Sequence, residues 1–183
     1  MLLTEFDANR QAIINPEDLN EPLEGFPKIA VSCFSRSTFQ RMLEMFPHEL
    51  IYETSMANVA IPIYKLVIDE QELALFNAPV GASACVAILE DIFALGTDKL
   101  VLFGTCGVLD EDIKETSIII PSHALRDEGT SFHYVEASNE IAVNVGVLAC
   151  FRSYLNERQI SHKEGKVWTT DGIYRETNGK LKA

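Results

Sequence analysis

The chain of 183 residues carries 15 Lys+Arg against 27 Asp+Glu, a formal charge of −12, with 47% hydrophobic and 23% charged residues. That length predicts one domain, spanning residues 1–183, with enough chain to bury a core, and the acidic balance argues against nucleic-acid partners, whose phosphates reward Lys and Arg. Apolar residues spread along the whole length argue against disorder. No apolar run approaches the roughly 18–20 residues needed to cross a bilayer, and residues 1–7 lack the basic start of a signal peptide. The expectation is a soluble, acidic, cytoplasmic protein with no membrane partner.

Residues 1–27 are polar, contain Pro16, Pro22 and Pro27, and predict an irregular lead-in. Residues 28–34 (KIAVSCF) predict a buried strand, and helical spacing follows over 38–46. Residues 60–68 and 73–78 predict a strand pair around the polar turn Asp69-Glu70-Gln71-Glu72. After Pro79-Val80-Gly81 a helix is predicted with Ala84, Ile88, Ile92 and Leu95 on one face, ended by Gly96. Residues 99–103 (KLVLF) read as a central strand covered on both faces, broken by Gly104-Thr105-Cys106-Gly107. Residues 117–120 predict another strand, stopped by Pro121. A long helix is predicted over 138–156, capped by Ser138, with Ile141, Val145, Leu148 and Leu155 facing inward. Residues 166–170 predict a last strand. Strands alternating with helices give an α/β class around a mixed, largely parallel sheet flanked by helices. In such sheets ligands sit at the carboxyl ends of the strands. Residues 170–183 read as a polar, exposed tail, so the last strand is expected to lack cover and apolar surface to be exposed.

The four cysteines, Cys33, Cys85, Cys106 and Cys150, form no CxxC pair and read as small buried thiols. The four histidines lack metal-ligand spacing, and no metal is expected. Three polar segments remain as candidate ligand contacts. The first is 126–134, with Arg126, Asp127, Glu128, Ser131 and His133 after a strand; its plainer reading is a solvated turn. The second is Gly104-Thr105-Cys106-Gly107, whose amides and hydroxyl suit an anion or a ribose. The third places Ser32, Ser35, Arg36 and Ser37 at the end of the first strand, as an anion cradle or as a serine-capped helix start.

In this order the segments resemble the nucleoside phosphorylase superfamily, in its uridine-phosphorylase-like branch. The resemblance rests on four stretches. They are Ala78-Pro79-Val80-Gly81-Ala82-Ser83-Ala84 with Glu90, the GT-x-G turn at Gly104–Gly107, Ile119-Ile120-Pro121 followed by 126–134, and Trp168 to Arg175. The family's fold is a three-layer α/β domain around a mixed sheet, active as a homo-oligomer, either a dimer or a hexamer built as a trimer of dimers. Its reaction cleaves the N-glycosidic bond of a nucleoside, with phosphate as co-substrate and no cofactor. Carried over by position, Gly104 and Thr105, with Arg36, contact phosphate or ribose. Ile173 and Tyr174 lie near the base, and 126–134 lines the pocket; no residue is assigned as catalytic.

Three departures qualify what the resemblance implies. Leu102 stands where uridine phosphorylases carry a phosphate-gripping arginine. The segment Ser32–Arg36 lacks the family's phosphate-loop glycine. The chain also ends before the Met-Glu segment that binds ribose and before the C-terminal helix. Two other readings therefore stand beside a truncated phosphorylase: a nucleosidase using water, and a non-catalytic relic with a ligand-binding or assembly role.

Overall fold

Strand patterning sets the architecture, which the computed structural model describes over residues 5–114 and 118–180. The chain divides into two units: Asn9–Thr105, and the described residues of Met1–Ala8 with Cys106–Ala183. Each carries its own mixed sheet with helices, in agreement with the α/β class read from the sequence.

The unit Asn9–Thr105 runs α1 (Pro16–Leu19), β1 (Ile29–Cys33), α2 (Arg36–Met45), β2 (His48–Met56), β3 (Val59–Ile68), β4 (Gln71–Asn77), α3 (Ala82–Ala94) and β5 (Lys99–Phe103). Its sheet has the order β2-β3-β4-β1-β5, with β1 parallel to both neighbours and β2, β3 and β4 antiparallel. Side chains alternate between faces along each strand, and the two faces feed two cores. On one, Ala30, Ile61, Ile63, Ala74 and Phe76 cluster with Ile88 and Ile92 of α3 and with Leu95. On the other, Cys33, Leu66 and Leu75 cluster with Phe39 and Leu43 of α2. The sheet thus lies between two helices as the middle of three layers.

Local chemistry places these helices. Ser35 caps α2 by accepting the Thr38 amide at 3.2 Å. Gly96, at φ +123°, turns the chain out of α3, a conformation that glycine adopts without strain. Asp69 and Glu70, at φ +48° and +64°, make the two-residue turn between β3 and β4. Ser32 is fully buried, and its hydroxyl donates to the Phe76 carbonyl at 2.9 Å and accepts the Ala78 amide at 3.1 Å. This stitch fixes where β4 ends relative to β1.

The second unit contains β6 (Ile118–Asp127), β7 (Glu140–Ala142), α4 (Val145–Glu157) and β8 (His162–Thr170). Its sheet has the order β7-β6-β8, with β8 parallel and β7 antiparallel to β6. Arg152 of α4 holds Glu164 of β8 through two bonds of 2.6 and 2.8 Å. Ile120 and Leu155 are buried, whereas Val145, Val147, Phe151 and Tyr154 leave α4 with exposed apolar surface.

Several expectations are corrected. The lead-in is not wholly irregular: Pro16 opens α1, and Asn15 and Asp18 form a capping box around it. Strand β2 was missing from the pattern because its side chains are mostly exposed and carry both charge and apolar bulk. The strand at 99–103 is an edge of its sheet rather than a doubly covered centre, with Leu102 and Phe103 at 38% and 41% exposure. Pro121 does not stop β6; a register shift between Pro121 and His123 absorbs the missing N–H. Ser117 lies outside the described residues. The long helix predicted from 138 begins only at Val145, because Asn144 caps it and 140–142 pair as β7. Ile141 and Val145 are consequently exposed, not inward. Cys33 and Cys85 are buried, but Cys106 and Cys150 are exposed, since turn and helix-surface positions hold them.

Ser32→Ala removes the hydroxyl from the Phe76 carbonyl and leaves the Ala78 amide with the Cys33 carbonyl alone, an expected loss of about 1 kcal/mol. Urea denaturation monitored by far-UV circular dichroism measures it, and an unchanged midpoint contradicts the stitch.

Candidate active site

Three parallel strands of the first unit end at one level. Cys33 of β1 pairs with Asn77 of β4 on one side and with Phe103 of β5 on the other. Ser35 and Arg36, Ala78 to Gly81, and Gly104 with Thr105 therefore leave the same edge of the sheet. Helices α2 and α3 both begin there, at Arg36 and Ala82. A helix start presents open N–H groups and the positive end of its dipole, so this edge favours a negative group. The carbonyl of Cys33 accepts Asn77 Nδ2 at 2.6 Å and the Ala78 amide at 3.0 Å, which stiffens the turn into α3. A Cβ on Gly104 would lie 2.9 Å from Cδ2 of Phe34, so the backbone passes this ring at a distance that a side chain would disturb.

The predicted residues at this edge divide by use. Ser32 is consumed by the stitch, and Ser35 by its cap and by the Thr38 hydroxyl at 3.0 Å. Ser37 shares a hydrogen bond with Ser35. Arg36 is exposed at the first position of α2, and Gly104 and Thr105 are exposed beyond β5. Cys33 and Cys85 are unsuited to nucleophilic work, because burial pushes both thiols up.

In the second unit, Asp127 and Thr170 pair at the ends of β6 and β8, so 126–134 and 171–175 leave adjacent strand ends. Arg126 is buried and braces the first of these loops from within. Its Nε donates to Ser131 Oγ at 2.8 Å, one terminal nitrogen to the Glu136 carbonyl at 2.7 Å and Ser138 Oγ at 2.8 Å. Its guanidinium also lies 4.1 Å from the centre of the Phe132 ring. Glu128 accepts the Ser131 amide at 2.9 Å and also its hydroxyl. His133 is exposed in the 3-10 turn Thr130–His133. Ile173 and Tyr174 project at 73% and 94% exposure.

The sequence reading missed what joins these two loops. The Asp171 carboxylate accepts the Gly129 amide at 3.0 Å, and the Asp171 amide donates to the Asp127 carbonyl at 3.1 Å. Asp127 also accepts Trp168 Nε1 at 3.2 Å and Lys180 Nζ at 2.7 Å. A lone tryptophan directly before Thr-Thr-Asp was the available signal. A shallow apolar depression of about 270 Å³, lined by Cys150, Phe151 and Tyr154, lies on α4 and contains none of the predicted site residues.

Three carboxylates in this unit sit below their ordinary range: Asp127 through Lys180, Glu140 through Lys166 and Glu164 through Arg152. A lowered folded value stabilises above the ordinary carboxylate value, and that contribution is lost as pH falls through the folded one. Glu164→Gln is therefore expected to cost stability at pH 6–7, the deficit narrowing below about pH 4. Denaturation of both proteins across pH measures this; a deficit constant with pH contradicts it. Arg126→Lys cannot reproduce the planar fork; with charged-group hydrogen bonds worth about 1.5–3 kcal/mol, a loss of about 2–3 kcal/mol is expected, read by the same denaturation.

The profile of the Phosphorylase superfamily matches residues 28–183. A uridine phosphorylase of Treponema pallidum (strain Nichols) is 25% identical over 105 residues, 57% of this chain and 41% of that protein. The chain thus matches less than half the length of this relative. Among solved structures, a uridine phosphorylase from Vibrio fischeri ES114 has the same fold at a TM-score of 0.75 and 17% identity, over 93% of this chain and 70% of that one. A 5′-methylthioadenosine/S-adenosylhomocysteine nucleosidase from Helicobacter pylori follows at 0.67 and 19%, over 87% and 70%. With its profile match covering most of the chain and its strand-end turns in the expected order, this protein belongs to the phosphorylase superfamily.

Proposed function

We propose that this chain carries a nucleoside phosphorylase-like site, and that the reaction is phosphorolysis to free base and ribose 1-phosphate. The observation that carries this reading is the common level at which β4, β1 and β5 end, with two helix starts and the Gly104-Thr105 turn beside it. Such an edge offers N–H donors and positive dipole ends to a phosphate or to ribose hydroxyls. In the reaction a phosphate oxygen bonds to the anomeric carbon as the bond to the base breaks. The base departs with the electron pair and takes up a proton. Gly104, Thr105 and Arg36 are assigned to phosphate and ribose, Ile173 and Tyr174 to the base. The loop with Arg126, Asp127, Glu128, Ser131 and His133 is assigned to the pocket wall, Arg126 acting by bracing it. No cofactor is needed for this chemistry. We place the protein in the cytoplasm as a homo-oligomeric single domain of nucleoside salvage.

One observation favours a second reading. Leu102 puts an apolar side chain where phosphorolysis would profit from a guanidinium, and one of the structural neighbours is a nucleosidase. In that reading water replaces phosphate.

The deciding measurement is base release from uridine, inosine, adenosine and methylthioadenosine, with and without phosphate. Phosphate-dependent release is expected. Release without phosphate assigns hydrolysis, and no release from a folded sample overturns both. Thr105→Val is expected to weaken nucleoside or phosphate binding about fivefold, as loss of one hydrogen bond worth about 1 kcal/mol would. Calorimetric binding unchanged by the substitution removes Thr105 from the site.

A further inference from the structure

Ile173 and Tyr174 project into solvent with little packing of their own, so their placement depends on how the backbone around them is held. The segment 171–180 is pinned at both ends to one residue. At its start, the Asp171 amide donates to the Asp127 carbonyl at 3.1 Å, and the Asp171 carboxylate takes the Gly129 amide. At its far end, Lys180 Nζ reaches Asp127 Oδ2 at 2.7 Å. Between them the chain is folded by short-range bonds, Arg175 amide to Gly172 carbonyl at 2.7 Å and Lys180 amide to Thr177 Oγ1 at 3.4 Å.

The far anchor is more than an exposed ion pair, which by itself is close to neutral. The oxygen that receives the ammonium also accepts Trp168 Nε1 at 3.2 Å, which fixes the carboxylate. The ammonium lies 5.8 Å from the centre of the indole ring, within reach of its negative face. A carboxylate oxygen and an aromatic face that converge on one point make a receptor for a primary ammonium group. We propose that Asp127 and Trp168 form a cation slot, filled in cis by Lys180, which closes 171–180 into a strap displaying Ile173 and Tyr174. Lys180 is thus a positioning residue, and the slot stands independently of which reaction the chain catalyses.

Asp127 and Lys180 are partly open to solvent, so the strap is reversible and screened by salt. Opening it removes the ammonium from beside the indole and leaves the slot open to an external ammonium group.

Trp168 is the chain's sole tryptophan, so its fluorescence reports the slot directly and needs no substrate. In the full chain, quenching of wild-type Trp168 by neutral acrylamide is expected to rise between about 0.05 and 0.5 M NaCl, and Lys180→Met is expected to raise the quenching about twofold and to abolish that salt response. n-Butylammonium at matched ionic strength is expected to restore the protection in Lys180→Met but not in Lys180→Met/Asp127→Asn. Lys180→Arg keeps the charge and is expected to retain most of it. Circular dichroism checks that each variant is folded, and because Lys180 is a surface residue, its variants carry the test even where Asp127→Asn misfolds. Quenching and salt response in Lys180→Met equal to wild type overturn the slot. Equal effects of n-butylammonium and NaCl on Lys180→Met overturn its recognition of ammonium. Since no nucleoside is added, failure of the phosphorylase reading leaves this result untouched.

Discussion

The candidate site at the first sheet's edge depends on one alignment, the pairing of Cys33 with Asn77 on one side and Phe103 on the other. Parallel strands carry no hairpin to fix their register, so it must be fixed by side chains and by the two cores. A slip of one residue would turn Ala30 and Ser32 toward the core of α2, and Val31 and Cys33 toward the core of α3. The Ser32 hydroxyl makes such a slip costly, since it satisfies one carbonyl and one amide of the β4 end at once. Asn77 adds a side-chain bond to the Cys33 carbonyl. With the level fixed, the turns after β1, β4 and β5 have to emerge together. Their convergence is a result of sheet register before it is a result of any ligand.

Most of this first sheet was legible in the sequence, and the reason is burial. β1, β3, β4 and α3 put apolar residues at period two or at helical spacing because a core lies on each side of the sheet. The strands that escaped or were misplaced lack that pressure. β2 pairs on one side only and is largely exposed, so its nine residues mix charge with Leu, Ile and Tyr in no clear period. β5 has the apolar composition of a covered strand yet stands at an edge of its sheet, and composition does not distinguish the two. In the second unit the misplaced helix start has a local cause. Glu140–Ala142 pairs with β6 as β7 although its apolar positions suit a helix, and only the cap at Asn144 marks where the helix starts.

The candidate site was legible as a set of turns and less so as a set of roles. Turn chemistry at Gly104-Thr105 and at 126–134 is local, so residue type predicts it. Roles depend on long-range partners, which sequence order hides. Arg126 looked like a ligand contact because an arginine in a polar loop usually has free donors. Here its donors meet Ser131, Glu136 and Ser138, between five and twelve residues away. Trp168 and Lys180 looked like strand and tail, and their shared partner lies more than forty residues earlier. The loop is thus braced from inside, which the proposed pocket wall would need if it is not to spend binding energy on ordering itself.

The charge of the whole chain bears on which nucleophile the proposed reaction uses. A formal −12 repels an anionic co-substrate at a distance, so any phosphate has to be held by close, fixed donors that outweigh this field. At the first sheet's edge these are the two helix starts, the amides around Gly104 and the guanidinium of Arg36. Leu102, on the strand that leads into Gly104, contributes nothing to an anion and presents apolar surface at 38% exposure. An arginine there would have supplied a bidentate grip and a full charge. In the proposed site its absence would weaken the hold on phosphate without touching ribose, whose hydroxyls need hydrogen bonds rather than charge. The proposed phosphorolysis would therefore rest on backbone donors and one helix-start arginine. Hydrolysis would require no anion at all, so phosphate dependence, more than substrate range, is what Leu102 puts to the test.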